Sequence, residues 1–514
     1  MTPDSQQPLH SQVTQVTQVT QVTQVIVVGA GPVGLMLAGE LRLGGAEVVV
    51  LDDRPGPTTE SRASTLHART MEILDSCGLL DELGTPADEP RGHFGGLPLD
   101  LTLPSTHPGQ WTVSQTRTEE LLQRWAAGLG ADIRRGYTLR ALAVGDAGVE
   151  AEADGPGGPL RVRGSHLVGC DGERSTVRRL TGARFPGQDA GREMLRADVA
   201  GIDVPGRRFQ RLARGLAVAA TREGVTRVMV HEFGAVVAPR TGEPRFEEVV
   251  DVWKRVTGED ISGGTPLWVN SFGDANRQLE RYRHGRILFA GDAAHQQMPI
   301  GGQALNLGLQ DAVNLGWKLA AQVTGRAPAG LLDSYHSERH ETGRRVLSNI
   351  RAQAGLLLGG PEVEPVRALL GELTALGDVR EHLAGKISGL DIRYDVGAPD
   401  AGQAHPLLGR RLPPAELTTA QGDTRTAALL RTGRGLLLDL GVAADGEPPT
   451  QPEDVVAGWT DRVALTTARL RSDGPLPAGA ALLVRPDGHI VWVGTAWEGV
   501  TTALRRWFGE PCRN

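Results

Sequence analysis

An unbroken apolar run at residues 25–28 stops at a glycine cluster, and the apolar positions then recur at helical spacing over 33–43. A second short strand-like run, from Glu47 to Leu51 and apolar after its first residue, follows. Strand, glycine turn, helix and strand in that order predict a βαβ opening. Helical spacing returns at 68–77, stopping at Gly78, and at 117–127. Alternating or continuous apolar stretches predict strands at 133–144, 149–162 and 167–170, the last ending at Asp171-Gly172. From 183 to 272 the pattern changes to short strand-like runs (195–202, 216–220, 225–233, 267–272) around one amphipathic helix at 246–256. A sheet inserted into the first unit is the simplest account. A buried strand at 286–290 returns to the earlier character, followed by long helical patterns at 306–324, 331–358 and 363–376.

The ends differ from this body. Residues 12–24 repeat Gln-Val-Thr, so 1–22 are expected to be a flexible low-complexity leader, with a partner-binding strand as the alternative. A Gly- and Pro-rich break lies near 397–414. Beyond it, apolar runs at 435–440 and 481–492, the second folded at Pro486-Asp487-Gly488, predict a small separate α/β unit. The expected fold class is α/β. Its parts are a nucleotide-binding unit over 23–182 and 273–397, an inserted sheet over 183–272 and a C-terminal unit over 402–514.

Length and composition narrow the function classes. A chain of 514 residues exceeds one ordinary core. A net charge of −7 disfavours a nucleic-acid binder. No apolar run reaches membrane-spanning length, and the polar start does not read as a secretory signal. The three cysteines, Cys77, Cys170 and Cys512, have no metal or redox spacing, which fits a reduced cytoplasmic compartment and predicts no metal.

The chemistry starts at Gly29-Ala30-Gly31-Pro32-Val33-Gly34. Gly29 permits the tight turn, Gly31 lets backbone approach a pyrophosphate, and Gly34 lets the helix pack close to the sheet. The diphosphate would rest on free N–H groups at the positive helix end. Asp52 ends the next strand, placed to hold both ribose hydroxyls of an adenosine, and its charge suits FAD or NAD better than NADP. Far downstream, Gly291-Asp292 ends another buried strand and precedes Pro299-Ile300-Gly301-Gly302-Gln303-Ala304-Leu305-Asn306 and a long helix. Gly301 and Gly302 would let N–H groups approach a flat ring, and the helix start would favour negative charge on its edge. Asp292 would reach the ribityl hydroxyls. Together the two turns point to one FAD.

With these residues in hand, the chain resembles the class A flavoprotein monooxygenases, the para-hydroxybenzoate hydroxylase family, over about residues 25–385. It is most similar to the aromatic polyketide hydroxylases, a branch that includes a Baeyer–Villiger member. The glycine turn, Ser61-Arg62-Ala63, His67-Ala68-Arg69-Thr70-Met71-Glu72, the stretch from Val168 through Asp171-Gly172 to Arg178, and the run from Gly291 to Asn314 carry the resemblance. It implies a Rossmann-like FAD-binding domain, an inserted β-sheet substrate domain and a C-terminal thioredoxin-like domain. That last unit has no Cys-x-x-Cys here. It further implies that Asp171 serves FAD and NAD(P)H binding and that Gln115 lies near the FAD phosphates. Arg62 would bond FAD phosphate and lie near flavin or nicotinamide, which makes it the one candidate catalytic side chain. Pro299, Gly301, Gly302, Leu305 and Asn306 would line the ring. Arg69 and Arg117 stay open between cofactor contact and structural ion pairs, and His295 between holding its turn and acting as a base. Relatives tend to carry histidine and proline just after His295, where this chain has Gln296-Gln297-Met298.

The implied reaction is reduction of FAD by NADPH or NADH, addition of O2 at the flavin C4a, and transfer of one oxygen atom to a polycyclic aromatic polyketide. Ring hydroxylation and Baeyer–Villiger insertion both remain open. A flavin reductase or oxidase without oxygen insertion, and a non-catalytic nucleotide-binding regulator, are the rival readings. A homodimer is possible through the C-terminal unit.

Overall fold

In the computed structural model, the described residues are 19–58, 64–235, 237, 240, 242–397, 405–441 and 451–512. The apolar runs of the amino-terminal half assemble into one six-stranded sheet. Its order is Arg283–His284, Ile287–Phe289, His166–Gly169, Val25–Val28, Val48–Asp52 and Asp132–Arg135. All neighbours are parallel except the first pair. Strands buried on both faces need no polar alternation, which is why they read as solid apolar runs. Helices Pro32–Leu43 and Gln303–Val323 pack together beside this sheet, with Gln115–Gly128 against the first of them.

The predicted strand over 133–144 is two strands. Asp132–Arg135 joins the parallel sheet, whereas Thr138–Gly145 belongs to a second sheet with Gly148–Gly155 and Gly158–Gly164. Gly136, at φ +77°, makes the break. The expected leader also ends early. Val19–Val22 pairs in parallel with Gly158–Gly164, and Gln21 donates to Asp132 at 2.8 Å. Alternation of Val and polar residues in the repeat suits a sheet edge, where backbone pairing rather than burial holds the strand; Val22 remains 76% exposed. The helix expected from residue 306 begins at Gln303, and a helix over Gly377–Ser388 follows those that were expected.

The inserted region is a five-stranded antiparallel sheet ordered Arg207–Leu212, Gly215–Arg222, Val225–Glu232, Glu193–Ala200 and Thr265–Gly273. Leu195, Ala197, Val199, Ala217, Val228 and Val230 point to one face, where Val249, Trp253 and Val256 of helix Phe246–Thr257 cover them. Met194, Leu216 and Met229 point the other way, into an apolar layer shared with Met298 and Ile300. After residue 405 a mixed six-stranded sheet forms around Gly435–Asp439, with the expected hairpin Ala481–Val484 and Ile490–Gly494 at its edge. Its core is separate from that of the parallel sheet.

Candidate functional site

The glycine turn is built without spare room on one side and open on the other. Gly29 stands at φ +103°, and a Cβ there would lie 2.4 Å from the Cys170 carbonyl oxygen. A Cβ on Gly34 would lie 1.9 Å from the Gly29 oxygen. Gly31 differs: an added Cβ would meet nothing within 4 Å. It caps the helix Pro32–Leu43 with no side-chain hydrogen bond, so the amide groups of the first turn are left for another partner.

The structure brings the second turn to the first. Ile287–Phe289 leads to a short 3₁₀ turn, Gly291–Ala293, in which Gly291 lies at φ +63°. A Cβ on Gly291 would be 3.0 Å from the Val33 side chain, and one on Gly308 would be 2.7 Å from the same methyl group. The start of the first helix, the acidic turn and the long helix therefore touch, and Asp292 is exposed at their junction. Behind the turn, Asp311 accepts from Gly291 N–H at 3.1 Å and meets His295 Nε2 at 2.7 Å and Arg339 Nε at 2.7 Å. Burial would raise the Asp311 carboxyl, but Arg339 and then His295 outweigh it and hold it below its ordinary range. His295 is fully buried in this cluster, so it holds the turn.

Beyond it, exposed Pro299 leads to Gly301 and Gly302, at φ +62° and +70°. A Cβ on Gly302 would come within 2.8 Å of Thr65. Gly302 caps the helix Gln303–Val323, again with no side-chain bond, and Leu305 lies half-buried in its first turn. Asn306 proves to be a clamp. Its Nδ2 donates to the Thr65 and Gly302 carbonyls at 3.0 and 2.7 Å, and its Oδ1 accepts from His67 N–H and the Thr70 hydroxyl at 2.9 and 2.6 Å. All of its side-chain hydrogen-bonding groups are used to fasten residues 65–70 to the glycine pair.

Asp52 belongs to a brace of its own. It is 5% exposed, and its carboxylate accepts from Ala30 N–H at 2.6 Å, from the backbone and guanidinium of Arg54, and from Arg135 at 3.3 Å. Arg135 also donates to the Ala30 carbonyl at 3.2 Å and to Glu119 at 3.1 Å. Burial raises the Glu119 carboxyl against the pull of Arg54 and Arg135. This ionic brace behind the glycine turn escaped the sequence reading, because Arg135 and Glu119 come from other elements. Asp171 accepts from Ser175 Oγ at 2.6 Å and Val177 N–H at 3.0 Å, bracing the start of the helix Thr176–Thr181, which Ser175 caps; burial raises its carboxyl. Gln115 is the first residue of its helix, half-buried. Arg69 pairs with Glu72 at 2.5 Å, and Arg117 donates to the Leu83 carbonyl, so the described contacts of both are structural. Arg62 falls outside the described residues.

The donor set fits a dinucleotide: two uncapped helix starts, an open glycine between blocked ones, and a glycine pair where only backbone can approach. Similarities to known proteins agree. Residues 22–350 match the family described as FAD binding domain, and residues 405–511 match the aromatic-ring hydroxylase C-terminal family. The chain belongs to the FAD-dependent aromatic-ring hydroxylases, the class A flavoprotein monooxygenase family. It is 43% identical to the 12-dehydrotetracycline 5-monooxygenase/anhydrotetracycline 6-monooxygenase of Streptomyces rimosus, over 95% of this chain and 99% of that one. The crystal structure of an aromatic hydroxylase from angucycline biosynthesis superimposes with a TM-score of 0.89 at 48% identity, covering 96% of this chain and all of that one. A dialkyldecalin synthase of Streptomyces rugosporus is 38% identical over 94% of this chain and 98% of its own.

Proposed function

We propose that this chain is a NAD(P)H-using, FAD-dependent monooxygenase that places one oxygen atom from O2 on a polycyclic aromatic polyketide. The contact of Val33 with Gly291 carries the reading, because it sets the phosphate-type helix start and the exposed Asp292 beside one another, as a single extended dinucleotide needs. On this reading the amides after Gly31 hold the diphosphate, and Gly29 and Gly34 shape the turn. Asp292 takes the ribityl hydroxyls, Pro299 and Leu305 border the ring, and the amides at Gly301 and Gly302 meet its polar edge. Gln115 would serve the phosphates, as the resemblance implies for Arg62 too, and Asp171 fixes its own turn. Asp52 acts first as a brace, and half-exposed Arg54 is the group that gives way where an adenosine ribose approaches its carboxylate. Bound FAD would supply electron transfer from nicotinamide and activation of O2, while the protein orients substrate and keeps water out.

The domain reading follows: a Rossmann-like FAD unit interrupted by a substrate sheet, and a C-terminal thioredoxin-like unit without redox cysteines. The relatives named for tetracycline and angucycline oxidation support the substrate class. A second reading, a reaction on the same fold without oxygen insertion, is favoured by the dialkyldecalin synthase. Oxygen electrode traces with NADPH and a hydroxylated polycycle, followed by mass analysis, separate the two. Oxygen uptake with a product one oxygen heavier supports the first; a turned-over substrate without uptake supports the second; a colourless protein that refuses FAD overturns both.

A further inference from the structure

Residue 93 lies on the hairpin Arg91–Phe94 and Leu97–Asp100, which runs beside the Ile300–Gly302 turn. One face of this hairpin is closed: Phe94 and Leu99 pack with Ala384 and Ile387. His93 points to the other face, toward the inserted sheet, where its ring meets Phe209 with centroids 4.2 Å apart. Phe209 belongs to the apolar layer that holds Met298 and Ile300, together with half-buried Met229 and Phe272. The His93–Phe209 pair therefore spans the sheet and the loop that leads to Gly301.

Two observations set this pair apart from ordinary packing. Phe209 has φ +48°, a left-handed conformation that side chains other than glycine rarely adopt, at a bulge where the register skips between Arg207 and Gln210. Such backbone collects at ligand clamps. His93 Nδ1 accepts the Gly96 N–H at 3.2 Å, so in the neutral ring the proton is on Nε2. Nε2 has no partner among the described residues, and the side chain is half-buried. Burial, with Arg208 and His67 adding to it, holds this imidazole down at about 4, so it is neutral at pH 7 and acts as a hydrogen-bond donor.

We propose that His93 and Phe209 are specificity-determining residues for the polycyclic substrate. His93 Nε2–H donates to a phenol or carbonyl oxygen on the substrate rim, and Phe209 packs on a ring face. This rests on the monooxygenase reading above. It assigns polar recognition at this layer to a residue of the hairpin, outside the inserted sheet.

The test is binding of a dihydroxyanthraquinone, and of anthraquinone without the hydroxyls, followed through the absorbance of bound flavin. His93→Ala is expected to weaken the hydroxylated probe about tenfold, one neutral hydrogen bond, and the plain probe little. His93→Gln, which keeps a donor, recovers part of the loss. Phe209→Ala weakens both probes. FAD content per chain reports folding in every variant. Full-FAD His93→Ala that binds the hydroxylated probe as tightly as the parent overturns the proposal. So does His93→Gln that is no better than His93→Ala. A yellow parent protein that takes neither probe overturns the substrate class beneath it, and a colourless parent overturns the flavin reading itself.

Discussion

Arg485 offers the sharpest quantitative test of how the C-terminal unit is held to the rest. Its guanidinium is fully buried and donates to both oxygens of Glu338, at 2.6 and 3.0 Å, and to Asp487. Lys318 completes the group by donating to Glu338 at 2.8 Å. Two cations face two carboxylates, so the cluster is neutral. Burial would raise the Glu338 carboxyl, but Arg485 and then Lys318 hold it down at about 2. Lys318 is itself lowered to about 8 by burial, against the pull of Glu338. Arg485→Met fills much of the same volume but leaves two carboxylates against one ammonium. At an effective dielectric of about 20, each contact pair contributes roughly 5 kcal/mol of attraction before desolvation. The net cost of orphaning a buried charge is about 3–5 kcal/mol. With a urea slope of about 2–3 kcal/mol per molar, the first unfolding transition should fall by about 1–2.5 M. Trp317 and Trp507, with ring centroids 5.4 and 4.7 Å from the guanidinium carbon, report the change locally by fluorescence. Arg485→Met/Glu338→Gln restores one cation against one carboxylate and should recover part of the loss. Should the single variant unfold within about 1 kcal/mol of the parent, or the double prove no better than the single, charge balance is not what holds this joint.

Three further outcomes follow from the same geometry. Gly34→Val should fail to hold FAD because its Cβ meets the Gly29 oxygen at 1.9 Å, whereas Gly31→Ala, whose Cβ meets nothing, should fold normally yet bind FAD at least about tenfold more weakly. Equilibrium dialysis with FAD and far-UV spectra of both variants decide this, and undiminished FAD affinity in Gly31→Ala refutes the assigned approach path. Burial raises the Glu40 carboxyl from 4.5 to about 8, opposed by Cys77 and Arg411. Its contribution to stability is therefore full below pH 4.5 and lost as pH rises through about 8, so Glu40→Gln should gain on the parent over that window by several kcal/mol. Parallel stability–pH curves for the two proteins would rule this out. Asp311→Asn leaves buried Arg339 without its counter-charge and should cost about 3–5 kcal/mol, with looser FAD because Gly291 N–H loses its anchor; thermal unfolding with and without FAD measures both, and an unchanged midpoint contradicts it.

What could be read from the chain was what is local in it. The glycine turn, the acidic turn and the strand at 166–169 each show in a few consecutive residues, because a tight turn or a doubly buried strand restricts its own side chains. The side chains that brace them do not. Arg135 reaches Asp52 from 83 positions away, and Arg485 reaches Glu338 from 147. In sequence, Lys318 and Glu338 look like ordinary charges on exposed helix faces, since nothing nearby shows that both face another unit. Asn306 was expected at the ring for its place in the motif. Its side chain, a short amide at the fourth position of a helix, ties two neighbouring loops, a role that depends on what lies across from it. The strand at 19–22 escaped for the same reason: its partner, 158–164, is distant and itself polar on one side.

The dialkyldecalin synthase and the tetracycline monooxygenase, each close to 40% identical to this chain over nearly its whole length, show that one scaffold hosts different reactions. The difference has to arise where substrate meets scaffold. In this chain the braces behind the cofactor turns spend their polar groups on each other, at Asp52, Asn306 and Asp311, and leave little to vary there. The inserted sheet and the hairpin at residue 93 have the opposite character: half-buried Phe209, Met229 and Phe272, a strained bulge and a histidine with one nitrogen unpartnered among the described residues. Side chains on that wall take no part in the braces at Asp52, Asn306 and Asp311, so exchanging them can change the compound accepted without loosening the flavin. A largely apolar wall with a neutral donor suits a flat, oxygen-rimmed polycycle, and the same wall with that donor removed would suit a more hydrocarbon-rich one. Substrate choice in this fold is thus expected to track position 93 and its neighbours on the sheet rather than the glycine turns.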